Sequence, residues 1–176
     1  MSKVKKVRKP TQLKIPLRDE DISKLNAGDH IEISGIILCG RDAVLPKMVS
    51  LLESGAGGSI PVQLKGALIF HTAVSPAGIG PTTSNKPDIE GSIPTLSKAG
   101  VKIHLGKGAL GAETVAALKA ENSIFAITPP TTALFAEKMI SQRVAMYPEE
   151  GMEALYEVEV KGLPAIVAIA HGETIY

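Results

Sequence analysis

The sequence predicts a three-layer α/β domain: a parallel sheet, helices on one side and extra strands on the other. Three observations carry this. The middle of the chain alternates strand, loop and helix, the pattern of parallel strands joined by helical crossovers. The two ends pattern more like antiparallel strands. Hydrophobic residues make up 44% of the 176 positions and aromatics only 3%, so the core must be built from Ala, Val, Ile and Leu. That length suffices for one domain with a substantial core.

In chain order, Thr11–Leu17 alternates polar and apolar and predicts an early strand. Asp19–Asn26 predicts one or two helical turns, stopped by Gly28. His30–Leu38 alternates, then turns wholly apolar, as a strand entering a core does. Arg41–Glu53 places Val44, Met48, Leu51 and Leu52 at helical spacing, and Gly55–Gly58 follows as a turn. Ala67–His71 predicts a strand, and a Pro/Gly-rich run spans Ser75–Pro87. Ile93–Ala99 predicts a short helix and Val101–Leu105 a strand. Glu113–Glu121 predicts an alanine-rich helix, Ser123–Thr128 a strand, and Pro130–Ile140 a helix opened by proline, a favoured first helical residue. Met152–Val160 and Leu163–Ala170 predict a hairpin turning at Lys161-Gly162. Residues 1–9 predict a solvated basic tail carrying Lys3, Lys5, Lys6, Arg8 and Lys9, and residues 10–176 a single domain.

Composition narrows the function. A net charge of +1 argues against a nucleic-acid partner. No apolar run approaches the ~20 residues that cross a bilayer, and the first 20 residues lack a signal core, so a cytoplasmic protein without a membrane partner is expected. Cys39 is alone, too few for an internal disulfide, a metal site or an iron–sulfur cluster. His30, His71, His104 and His171 show no helical ligand spacing and read as ordinary core or surface histidines. No phosphate-binding G-x-x-x-x-G-K-[ST] occurs, and Gly55–Gly58 lacks the spacing of a dinucleotide fingerprint.

Three loops share a design: each follows a predicted strand and carries a glycine and a cation. They are Cys39-Gly40-Arg41-Asp42, the run ending Thr82-Thr83-Ser84-Asn85-Lys86, and Gly106-Lys107-Gly108. In open parallel sheets such loops converge on the edge where ligands bind. Arg41, Lys86 and Lys107 would then line a pocket with hydroxyls beside them, chemistry suited to a small dicarboxylate. Singly, each has a plainer reading: Arg41 paired with Asp42 on the surface, Lys107 solvated on an ordinary turn.

The order G-R-D-A, G-P-T-T-S, G-K-G resembles the β subunit, or C-terminal domain, of class I iron–sulfur fumarate hydratases and the related tartrate dehydratases. The likeness runs from about Pro10 onward, and Gly80–Ser84 is its most specific piece. It implies a swivelling β/β/α fold, a length typical of a stand-alone β subunit, and a partner α subunit whose cysteines hold a [4Fe–4S] cluster. The implied reaction is reversible hydration of fumarate to L-malate. By position, the resemblance makes Thr82 the catalytic base and Arg41, Thr83, Ser84, Lys86 and Lys107 substrate-binding residues, with no metal ligand in this chain. Three departures stand out: Lys86 replaces the family's usual arginine, Val44–Lys47 lacks its usual histidine, and Pro87-Asp88 replaces Met-Asp. A tartrate dehydratase or related hydroxy-diacid hydro-lyase stays open for that reason, and beside it a non-catalytic dicarboxylate-binding module. Apolar surface meant for the α subunit would also let the isolated chain form homodimers.

Overall fold

A computed structural model describes residues 9–75, 78–82, 86–128 and 137–176. The strands are β1 (Thr11–Lys14), β2 (His30–Gly40), β3 (Leu68–Ser75), β4 (Gly78–Thr82), β5 (Ile103–Gly106), β6 (Ile124–Ile127), β7 (Met139–Met146), β8 (Leu155–Ala170) and β9 (Glu173–Thr174). The helices are α1 (Asp19–Ser23), α2 (Leu45–Glu53), α3 (Lys86–Lys98) and α4 (Ala112–Ala120).

β1, β2, β3, β5 and β6 lie side by side and parallel. β8 then runs antiparallel to β6 and, along the same residues, antiparallel to β2: Ile166 pairs with Ile127 on one side and His30 on the other. β2, β3, β5, β6 and β8 therefore close into a ring. The alternation in the sequence explains what fills it. Ile33, Ile37 and Cys39 of β2, Leu68 and Phe70 of β3, Ile103 and Leu105 of β5, and Val158, Val160 and Leu163 of β8 form one buried cluster. The intervening residues point outward and meet the helices. Ile69 packs with Leu45 and Met48 of α2 and Leu96 of α3, and Phe125 packs with Ile93 of α3 and Leu118 of α4. α2, α3 and α4 are the crossovers that the parallel strands require.

The expectation of an α/β fold with parallel central strands stands, within a sheet that is mixed overall. Other expectations change. The hairpin at Lys161-Gly162 does not exist; both halves belong to the continuous β8. Gly162 takes φ 65 within it, and its N–H donates to Ser34 Oγ at 2.9 Å, opposite the register shift at Ile33/Gly35 of β2. A hydroxyl on the neighbouring strand satisfies the irregular backbone, so the strand continues where a turn was expected. The helix expected over Pro130–Ile140 falls largely outside the described residues, and its last two positions open β7 instead. β3 runs four residues beyond the expected strand, β4 forms inside the Pro/Gly-rich run, and α3 begins seven residues before the expected helix. Among the described residues no helix is long and apolar enough to cross a membrane.

Candidate active site

β2 and β5 flank β3, all three parallel, so their C-terminal ends share one edge. Arg41 follows the last residue of β2 and Lys107 the last of β5. Two strand spacings, about 10 Å, separate their backbones. Each cation is preceded by a glycine in a tightly packed position. A Cβ on Gly40 would lie 2.9 Å from Val44 Cγ2, and one on Gly106 3.0 Å from the Phe125 ring. A side chain at either position would have to push Val44 or Phe125 aside, so glycine lets the strand ends pack closely there.

Between them, β3 turns back as β4, and Thr72 pairs with Thr82. The backbone of Thr82 thus ends β4 on the same edge, and Lys86 opens α3. Thr83 and Ser84 lie outside the described residues, as do the side chains of Thr82 and Lys86. The structure therefore brings together Arg41, Lys107 and the backbone position of Thr82.

Arg41 is not a free cation. Its Nη2 lies 3.7 Å from Asp42 and its Nε 3.1 Å from Glu153. The expected surface pairing with Asp42 is present but long; the closer contact is with Glu153, which the sequence motif did not flag. Lys107 is exposed and makes no ion pair among the described residues. Near it, Glu90 of α3 caps α4: its carboxylate accepts from the Gly111 N–H and, at 3.2 Å, from Thr114 Oγ1. A carboxylate at a helix N-terminus satisfies free N–H groups and the helix dipole together. This link fastens the loop after Lys107 to the helix that follows Thr82.

Behind this edge lies a buried polar chain. His71 Nε2 is 3.1 Å from His104 Nδ1, and His104 Nε2 is 2.9 Å from Ser97 Oγ. All three side chains are closed off from solvent, and His71 Nδ1 has no hydrogen-bond partner among the described residues. The two histidines, 33 residues apart in sequence, meet because Ile69 pairs with His104 across β3 and β5. They are core histidines, as expected, but a coupled pair. Burial lowers the His71 pKa to about 4, and burial together with the neighbouring ring holds His104 well below its ordinary value. Both rings are neutral at pH 7. The unfolded chain binds protons that the fold refuses, so this contribution is complete above about pH 6.5 and is lost as pH falls toward 4. His71 alone corresponds to about 3 kcal/mol over that window. We expect the urea midpoint to drop between pH 6.5 and 5, above the range where carboxylates titrate, and a His71→Leu/His104→Leu variant to lose that slope. A flat wild-type midpoint there would contradict the neutral pair.

Cys39 is the single cysteine of these 176 residues; it is closed inside the ring, where burial pushes its thiol up and keeps it protonated. An iron–sulfur cluster needs several thiolates. This chain's residues do not fit as the ligands of one, and among the described residues no group of three or more His, Cys, Asp or Glu side chains converges.

The Fumarase C-terminus family matches residues 2–176. The chain belongs to this family. Relatives of two kinds are among its matches. It is 27% identical to the anaerobic class I fumarate hydratase of Escherichia coli over 157 residues, which is 84% of this chain and 28% of that protein. It is 28% identical to the L(+)-tartrate dehydratase subunit beta of Escherichia coli over 177 residues, 93% of this chain and 85% of that subunit. The chain thus spans about a third or less of the class I fumarate hydratases it matches, and most of the tartrate dehydratase β subunit. In the family, then, this chain corresponds to a C-terminal region or a β subunit.

Proposed function

We propose that this chain is the β subunit of an iron–sulfur-dependent hydro-lyase that reversibly hydrates fumarate to L-malate. The observation that carries the reading is the shared strand edge: Arg41 and Lys107 stand on either side of β3, whose return strand ends at Thr82, in a chain matched over nearly its whole length by the Fumarase C-terminus family. The [4Fe–4S] cluster belongs on a companion α subunit, since one buried thiol cannot hold it.

The roles divide by chemistry. Arg41 grips one substrate carboxylate with a planar fork, and Lys107 meets the other as a compact point charge. Thr83, Ser84 and Lys86 complete the substrate loop with hydroxyls and a further cation. In dehydration Thr82, as its alkoxide, takes the proton from the substrate carbon. The C–H electron pair forms the double bond, and the hydroxyl on the neighbouring carbon leaves as hydroxide, for which the companion subunit's cluster would supply the Lewis acid; hydration is the reverse. A threonine hydroxyl is a weak base at its ordinary pKa, and neighbouring cations favour its deprotonated form.

L(+)-tartrate is the second reading. One observation favours it: the match covers 85% of a tartrate dehydratase β subunit, against 28% of the anaerobic class I fumarate hydratase. Turnover of both diacids by the reconstituted α–β complex separates the two. In that complex Thr82→Ala is expected to lower kcat by about 10²–10⁴-fold while KM moves little. Wild-type kcat in the variant would remove Thr82 as the base.

A further inference from the structure

Arg41 is held by a segment that lies more than 100 residues away in sequence. Its Nε, 3.1 Å from Glu153 Oε1, is closed off from solvent, whereas a quarter of the side chain remains exposed. The contact lies off the N–H axis, so the attraction is between charges rather than a directed hydrogen bond. Glu153 ends a 3-10 turn, Pro148–Glu153, entered through Tyr147 at φ 57 and kinked at Gly151 at φ 58.

This turn is itself fastened to the helix that follows Arg41. Lys47 Nζ of α2 lies 2.8 Å from Glu150 and 4.9 Å from the centre of the Tyr147 ring. On its other side, Tyr156 Oη of β8 donates to the Gly151 carbonyl at 3.1 Å. The turn therefore spans β8 and α2 and sets its last carboxylate against the buried edge of the guanidinium.

We infer that Glu153 is a positioning residue for Arg41. It holds the guanidinium at the inner Nε, while the outer Nη2 has only the longer contact of 3.7 Å with Asp42, which a ligand carboxylate would have to displace or share. A side chain that competed with the ligand would take the exposed edge; Glu153 takes the buried one. The identity of the ligand rests on the proposed function, while the Glu153–Arg41 contact does not.

The test has two arms. In the full isolated chain, solvent exchange of the Arg41 Nε–H is followed by NMR. It is expected to be slow in the wild type, where Nε is closed off from solvent, and faster by about tenfold or more both in Glu153→Ala and in Glu153→Gln, which keeps the shape of the side chain but loses its charge. In the complex with the α subunit, Glu153→Ala is expected to raise KM for the diacid by about 10- to 100-fold with a smaller change in kcat. Lys47→Ala, which loosens the turn without touching Arg41, moves both readouts the same way and serves if Glu153→Ala does not fold. Fast Nε–H exchange in the wild type, or exchange unchanged by both substitutions, overturns the inference, as does a KM that falls in Glu153→Ala. A wild-type complex that turns over neither diacid sinks the proposed function, and the exchange arm still decides the role of Glu153.

Discussion

Arg41→Ala in the reconstituted complex is expected to weaken diacid binding by about 2–5 kcal/mol, at least tens of fold in KM. Two terms add. The fork proposed to pair with the substrate carboxylate is lost. The carboxylates of Asp42 and Glu153, 3.7 and 3.1 Å from the guanidinium in the wild type, are also left without their cation at the edge where a dianion must bind. Arg41→Lys keeps the charge but loses the fork, so a result between the wild type and Arg41→Ala is expected. Steady-state kinetics on each variant, with the melting temperature as a folding control, reads this directly. An unchanged KM in Arg41→Ala would take Arg41 out of the substrate site.

Phe70→Ala is expected to cost about 3–5 kcal/mol of stability in the isolated chain. Phe70 is fully buried inside the strand ring, among the largest side chains there, in a sequence with only three phenylalanines. Its neighbours belong to strands that pair on both sides all the way round, so they cannot collapse into the cavity without breaking ladder hydrogen bonds. Urea denaturation measures the loss. A cost under about 1 kcal/mol would mean that the ring does not close around Phe70.

Much of the layout was legible because local pattern and tertiary role agree. Ile31, Ile33 and Ile37 alternate toward the ring interior, and the Gly40-Arg41 and Gly106-Lys107 loops sit where parallel topology puts ligand loops. The misses come from long-range partners. Lys161-Gly162 carries the local signature of a turn; only Ser34, on another strand, makes it a strand irregularity. Gly78–Thr82 has poor strand propensity, yet pairing with β3 and burial of Ile79 make it a strand. The His71–His104 contact depends on the β3–β5 register, and Glu153 reaches Arg41 only through the folded turn after Tyr147. No local pattern encodes either contact.

The central claim is tested most directly by co-producing this chain with a cluster-bearing α subunit, purifying the complex without oxygen, and following the loss of fumarate's ultraviolet absorbance. The account predicts hydration that requires both chains and disappears on exposure to air. A stable, cluster-loaded complex that leaves fumarate untouched and dehydrates L(+)-tartrate instead would contradict the fumarate assignment, and failure of the two chains to associate would contradict the β-subunit reading itself.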